Sequence, residues 1–147
     1  MKSLFTNKAY EEIKLRLARL NNNSKALWGK MSAAQMVYHC QMPLNIILEE
    51  ENYNLKPNWI INMLFKKSMY NDKIWKKNLP TVSAFKVTEE KDFASEKLKL
   101  ESLIDELHDN RQRDNWPRHP SFGKFTKEQW GKMQYKHLDH HLRQFGV

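Results

Sequence analysis

The chain has 147 residues, enough for one domain with its own core and without disulfide staples. Four glycines and five prolines are too few for a turn-dense all-β fold, and a single cysteine, Cys40, excludes an internal disulfide framework and fits a reducing compartment. The net charge of +8 is spread along the chain, with no basic run longer than a pair and no RNP, zinc-finger or glycine-rich phosphate motif beside it. This reads as a lysine-rich surface, and nucleic acid is not the expected partner.

The N-terminal stretch MKSLFTNKAYEEIKLRL has no continuous apolar core and carries Glu11 and Glu12, so no signal peptide is read there. Ile13, Leu17 and Leu20 give a first helix over about 7–21. Asn21, Asn22 and Asn23 are expected to stop it in a left-handed conformation.

A second helix starts at Ser32. Ser32 and Gln35 make an S-x-x-Q capping box, in which hydroxyl and amide satisfy free backbone N–H groups. Ala33, Val37, Cys40, Leu44 and Ile47 follow at helical spacing, with His39 on the flank of that stripe. Pro43 cannot donate to the carbonyl of residue 39, so a kink is expected one turn beyond the histidine.

Residues 50–88 read as irregular, apart from a short helix around 57–70 with Pro57 in its first turn. The run WIINMLF at 59–65 is far short of the roughly 20 residues a membrane span needs. The aromatic-basic mix around it has the composition of a membrane-surface segment. The expectation is instead a crossover that packs Trp59, Ile60, Leu64 and Phe65 onto the other helices, followed by LPTV as an extended connector. With no span and no signal peptide, a cytoplasmic protein is expected.

A third long helix is expected over about 89–109, with Thr88 as its N-cap and Glu89 and Glu90 in its first turn, where carboxylates suit the helix dipole. Phe93, Leu100, Leu103, Ile104 and Leu107 form its inward face. Two prolines and a glycine mark 110–125 as a loop. The last helix begins at Thr126, with a second capping box to Gln129, and ends near Gln144 before Gly146. Long helices joined by turns and one long connection predict an all-α four-helix bundle, residues 1–147 forming one domain. WGKM occurs at 28–31 and again at 130–133, but the match ends there and is read as chance.

Three of the six histidines fall in KHLDHH near the C-terminus. At about 100° per residue, Trp130, Met133, Gln134, His137, His141 and Gln144 share one face. Lys136, Asp139 and Arg143 point the other way, to solvent, and His140 falls toward the edge. His137 and His141 are one turn apart and aimed alike, as two imidazoles on one metal ion must be. Such pairs also arise as solvated or hydrogen-bonded histidines, so a third ligand is needed. His39 qualifies, two turns into a capped helix. His108 at a helix end and His119 in the proline-rich loop are weaker candidates. Leu138 stands where an HExxH protease has its glutamate, and DELH at 105–108 is unpaired, which argues against a di-iron carboxylate site.

WGKMSAAQMVYHC at 28–40 and HPSFGKFTKEQWGKMQYKHLDHHLRQFGV at 119–147 resemble the DinB/YfiT-like metalloenzyme superfamily. More narrowly, the chain looks like a subfamily with an HP-x-FG loop and a KHLDHHLRQFG-type final helix. The resemblance spans essentially the whole chain. It implies a four-helix bundle holding a divalent metal through three histidines, which by position are His39, His137 and His141. His140, Gln144, His119 and Trp130 are then candidates for the surroundings of the site. Three neutral imidazoles leave the ion its full charge and at least one open position, a catalytic type of coordination. Zinc and nickel suit imidazole best, and iron is compatible.

The resemblance further implies a metal-dependent enzyme acting on a small-molecule substrate, with a low-molecular-weight thiol as cofactor and S-transfer as the reaction. Arg118 and Lys124 would form a basic rim for an acidic thiol. A metal-dependent hydrolase and a non-catalytic basic binding module are the alternatives. Nothing in the sequence sets the oligomeric state, a homodimer included.

Overall fold

Two capping boxes set the register of the helices that carry the candidate site. Ser32 Oγ accepts from Gln35 N–H at 3.1 Å while Gln35 Oε1 accepts from Ser32 N–H at 3.0 Å. Thr126 and Gln129 repeat the pattern at 3.2 and 3.0 Å. The computed structural model describes residues 2–51, 53–57 and 59–147, with the side chain of Ile61 excepted. Its elements are α1 (Asn7–Arg19), α2 (Ala33–Leu48), α3 (Trp59–Tyr70), α4 (Phe93–Asp109) and α5 (Lys127–Gln144), with short 3-10 turns at Ser83–Phe85 and Asn110–Gln112. Among the described residues there is no β-strand, only an isolated bridge between His119 and Gly123. The chain is all-α.

α2 packs on α4 and α5, and α1 packs on the same two, so the contacts close a ring α1–α4–α2–α5. Ile13, Leu17, Val37, Cys40, Leu44, Ile47, Leu100, Ile104, Leu107 and Leu138 fill the space inside it. Each fully buried Leu, Ile or Val contributes roughly 1.5–3 kcal/mol relative to exposure. α2 is the most enclosed helix, buried on nearly every side, and it runs through Pro43 to Leu48. His39, on the flank of the apolar stripe, is buried with it.

The chain departs from expectation at three places. α1 stops at Leu20 in extended backbone, not in a left-handed asparagine. Leu20 is itself a core residue, and the turn after it is held by Asn21 Oδ1 accepting from Asn23 N–H. α4 starts four residues later than the Thr88 reading: Asp92 is the N-cap, its carboxylate accepting from Ser95 N–H at 2.8 Å, and Glu89 and Glu90 lie before the helix. Thr88 is also a competent cap type, but the apolar period begins only at Phe93.

The third departure is α3. It begins at Trp59, after Pro57; Asn58, inside the expected span, lies outside the described residues. Trp59, Ile60, Leu64 and Phe65 do not pack inward. All four are exposed, Trp59 at 73%. α3 lies against α5 through its far end, where Met69 and Tyr70 meet the core. No helix among the described residues is long and apolar enough to cross a membrane.

Two glycines mark close approaches. Gly131 lies within α5, and the N-terminal segment crosses it there: Leu4 N–H donates to Gly131 O at 3.0 Å. A Cβ at Gly131 would collide with Ser3 Oγ and come within 2.6 Å of Phe5 Cδ2. Gly29 has φ +80°, and a Cβ on it would meet Gln144 Nε2 at 2.5 Å.

Candidate metal centre

The three histidines singled out by position converge. His39 of α2 and His137 and His141 of α5 each offer a ring nitrogen, and these nitrogens lie within 4.8 Å of one another. His137 Nε2 is 3.1 Å from His39 Nε2. Nitrogens that share an ion at about 2.0–2.1 Å each stand about 2.9–3.4 Å apart for angles between 90° and tetrahedral, so this separation fits a common ion.

Hydrogen bonds on the far side of two rings set which nitrogen faces inward. His39 Nδ1 lies 3.0 Å from the carbonyl oxygen of Phe85, which can only accept, so the proton is on Nδ1 and Nε2 presents its lone pair. His141 Nδ1 lies 2.9 Å from Gln144 Oε1. The Gln144 amide is oriented in turn, since its Nε2 donates to the Trp28 carbonyl at 2.7 Å. His141 Nδ1 is therefore also the protonated nitrogen. His39 is locked with Nε2 toward His137, and in His141 Nε2 is the nitrogen left with a lone pair, as an outer carbonyl or amide arranges for metal-ligating histidine. Gly29 makes this possible, because its bare Cα admits the Gln144 amide.

His137 differs. Its Nδ1 is buried with no hydrogen-bond partner among the described residues, while its Nε2 faces His39. Two lone pairs 3.1 Å apart repel unless a proton or a cation lies between them. Burial, reinforced by the neighbouring imidazoles, holds His137 well below the usual histidine range. Burial lowers His141 to about 3 and lowers His39 against the pull of the Phe85 carbonyl. None of these influences comes from a carboxylate. The centre is thus a set of neutral imidazoles, the protonation state a metal requires of its ligands.

Aromatic groups surround it. The Phe85 ring meets His39 edge-on at 6.1 Å, and Trp75 stands edge-on to both His137 and His140. His140 is only partly buried and touches Trp28, Trp75 and His141, so it flanks the centre. Lys77 Nζ lies 4.8 Å over the Trp28 ring, a cation at this rim that the spacing of the sequence did not indicate. Trp28, Trp75 and Phe85 were missed for the same reason: they stand in loops or a single 3-10 turn, without period.

Of the other candidates, Gln144 is at the site and His119 and Trp130 are not. Trp130 Nε1–H donates to the Pro117 carbonyl, and its ring lies 5.5 Å from His119. Both belong to a separate aromatic cluster with Phe122 and Phe125, near the start of α5. Arg118 and Lys124 sit in that same loop: a Cβ at Gly123 would lie 3.7 Å from Arg118 Nη2, and the Lys124 carbonyl accepts from Lys66. They do not rim the three histidines. His108 is a structural histidine, bonded to the Leu4 carbonyl and Asn7 Oδ1 at 3.2 Å each.

Lys136 corrects the solvent face assigned to α5. Its ammonium is buried and donates to Ser68 O, Asn71 O and Asn71 Oδ1 at 2.7, 3.1 and 2.7 Å, tying α5 to the end of α3. Burial lowers its pKa to about 8, which still leaves it charged at neutral pH. Asp139 is half covered by Arg16, with the ion pair at 2.7 Å, and Arg143 alone of the three is open to solvent.

No curated protein and no solved structure matches the chain. One family model matches it, over residues 2–146. The chain with this three-histidine centre belongs to that family, described as protein of unknown function (DUF1569).

Proposed function

We propose that the protein is a metal-dependent enzyme of the DinB/YfiT-like four-helix-bundle type, with His39, His137 and His141 holding one divalent ion, zinc or nickel. The observation that carries this is the pair of locked tautomers. Phe85 O and Gln144 Oε1 each hold an Nδ1 proton, which leaves two Nε2 lone pairs aimed at the point where His137 Nε2 also arrives. An ion held there supplies Lewis acidity toward a thiol, a water or a carbonyl.

The residues around the centre favour a thiol as the activated group. Among the described residues no carboxylate acts on the three imidazoles, and the basic side chain that touches them is the partly buried His140. Trp28, Trp75 and Phe85 provide apolar surface for the electrophile, and Lys77, over the Trp28 ring, supplies a cation at the rim for an acidic thiol cofactor. The proposed reaction is transfer of a low-molecular-weight thiol to a small electrophile.

Metal content and melting temperature test the centre directly. Purified protein is expected to carry one zinc or nickel per chain, to melt lower after chelation, and to regain its stability when either metal is restored. The double variant His137→Ala, His141→Ala should bind none and show no response. If the wild type binds no stoichiometric metal and melts identically with and without it, the proposal fails. Transfer is read separately, by incubating loaded protein with glutathione or cysteine and monochlorobimane. A rate no higher than the chelated control removes the transferase and leaves a hydrolase or a binding module.

A further inference from the structure

We propose that α3 and the HP-x-FG loop form a second binding site, for a small organic anion that carries a carboxylate or phosphate on a flat apolar body. Between them lies a cavity of about 300 Å3, at the lower end of the range for small-molecule sites. Among the described residues four polar side chains reach it, those of Asn62, Arg118, His119 and Ser121, and no Asp or Glu lines it. The space between them is shaped by a glycine. Gly123 has φ +69°, and a Cβ placed on it would lie 3.7 Å from Arg118 Nη2 and 4.0 Å from Asn62 Nδ2. Two N–H donors from different elements therefore converge over a bare Cα.

His119 adds a third donor. The ring is 7% exposed, and its Nδ1 accepts from Ser121 N–H at 3.1 Å and Phe122 N–H at 3.2 Å. Those two bonds place the ring proton on Nε2, and no described residue accepts it. The side chains of Arg118, Asn62 and Ser121 likewise have no partner among the described residues. Guanidinium, imidazole N–H and amide N–H together match an acceptor-only group, as ionised carboxylates and phosphates are. Lys66, anchored on the Lys124 carbonyl at 2.8 Å, adds positive charge beside the ring. Trp59, Pro57 and Pro120 supply flat apolar walls for the rest of the ligand.

This site does not rest on the metal reading. Trp130, which His119 touches, precedes His137 by two turns of α5, about 10 Å along the helix. Calorimetric titration of the full chain at low ionic strength tests it, with phenyl phosphate, benzoate, inorganic phosphate and neutral benzyl alcohol as probes. Saturable binding of phenyl phosphate or benzoate is expected, with none for benzyl alcohol, and the stronger of the two anions names the ligand class. Arg118→Gln should weaken that binding tenfold or more and Asn62→Leu several-fold. Both variants should keep the wild-type circular dichroism, since Arg118 is exposed and Asn62 lies on the outer helix. The double variant His137→Ala, His141→Ala should bind as the wild type does. Absence of saturable binding by either aryl anion overturns the proposal, as does binding that ignores both Arg118→Gln and Asn62→Leu. Loss of binding in the double histidine variant would also overturn it, by assigning the anion to the metal centre.

Discussion

Gln144 is the side chain on which the geometry of His141 depends. It accepts the His141 Nδ1 proton with one end of its amide and donates to Trp28 O with the other, so neither end is free to turn. Replacing it with leucine leaves the His141 ring without its outer acceptor and free to present the wrong nitrogen. Loss of such a partner typically costs about 10–100-fold in metal affinity. Gln144→Leu is accordingly expected to weaken zinc binding by that factor, measured by competition with a chromogenic chelator, while the four helices still form. An unchanged affinity would mean that His141 is not held by this bond. The histidines that converge were legible in part: the capping boxes fix where α2 and α5 start, the wheel puts His137 and His141 on one face, and the family resemblance added His39. Gly29 was not legible, because nothing in WGKM says which side chain will lie against its Cα. Lys136 was misread for a related reason. A helical wheel describes one helix alone, and the oxygens that bury this ammonium come from α3.

Local signals placed the helices well where one signal dominated. Both capping boxes form as read, because the bonds they need lie within four residues. The start of α4 was ambiguous, since Thr88 and Asp92 are both cap types and only tertiary packing decides between them. α3 escaped because its apolar stripe, Trp59, Ile60, Met63 and Leu64, looks the same in sequence whether it faces a core or not. The repeated WGKM, read as chance, has no common structural role, yet each of its glycines is a point of close approach. Gly131 offers the sharper test. In an isolated helix, Gly→Ala adds roughly 1 kcal/mol of stability. Here the new methyl would strike Ser3 and Phe5 and displace the N-terminal segment from α5. Overpacking of this kind costs about 1–3 kcal/mol. Gly131→Ala is expected to lower the melting temperature in spite of the better helix propensity, and a rise would show that the segment is easily moved aside.

Stability of the folded chain as a whole should depend on pH through its buried neutral imidazoles. His119 is the clearest case outside the three-histidine cluster: burial, helped by the charge of Lys66, lowers it to about 4 from the ordinary value near 6.5. The unfolded chain therefore takes up a proton before the folded one does. The stabilising effect is complete above about pH 6.5 and is lost progressively as pH falls toward 4, by up to about 3 kcal/mol. Urea unfolding of the metal-free protein at pH 7, 6, 5 and 4.5 should show this decline, and His119→Phe should flatten the part due to His119. A profile with equal slope in the variant would assign the decline to other groups.

Cys40 adjoins His39 in α2 but faces the core, with its thiol buried, its pKa pushed up by desolvation and its S–H donating to Met36 Sδ at a sulfur–sulfur distance of 3.5 Å. A thiol so placed reacts with a disulfide reagent only when α2 opens. The chain thereby carries its own stopwatch. Its one sulfhydryl times the opening of the helix that carries His39, with no label, substrate or catalytic assay. An ion bound to the closed form alone should slow that clock by the factor one plus its concentration over Kd, about a hundredfold at a hundred times Kd. Reaction of the native protein with Ellman's reagent, with and without nickel, would read the occupancy of a metal centre from the chemistry of the residue next to it.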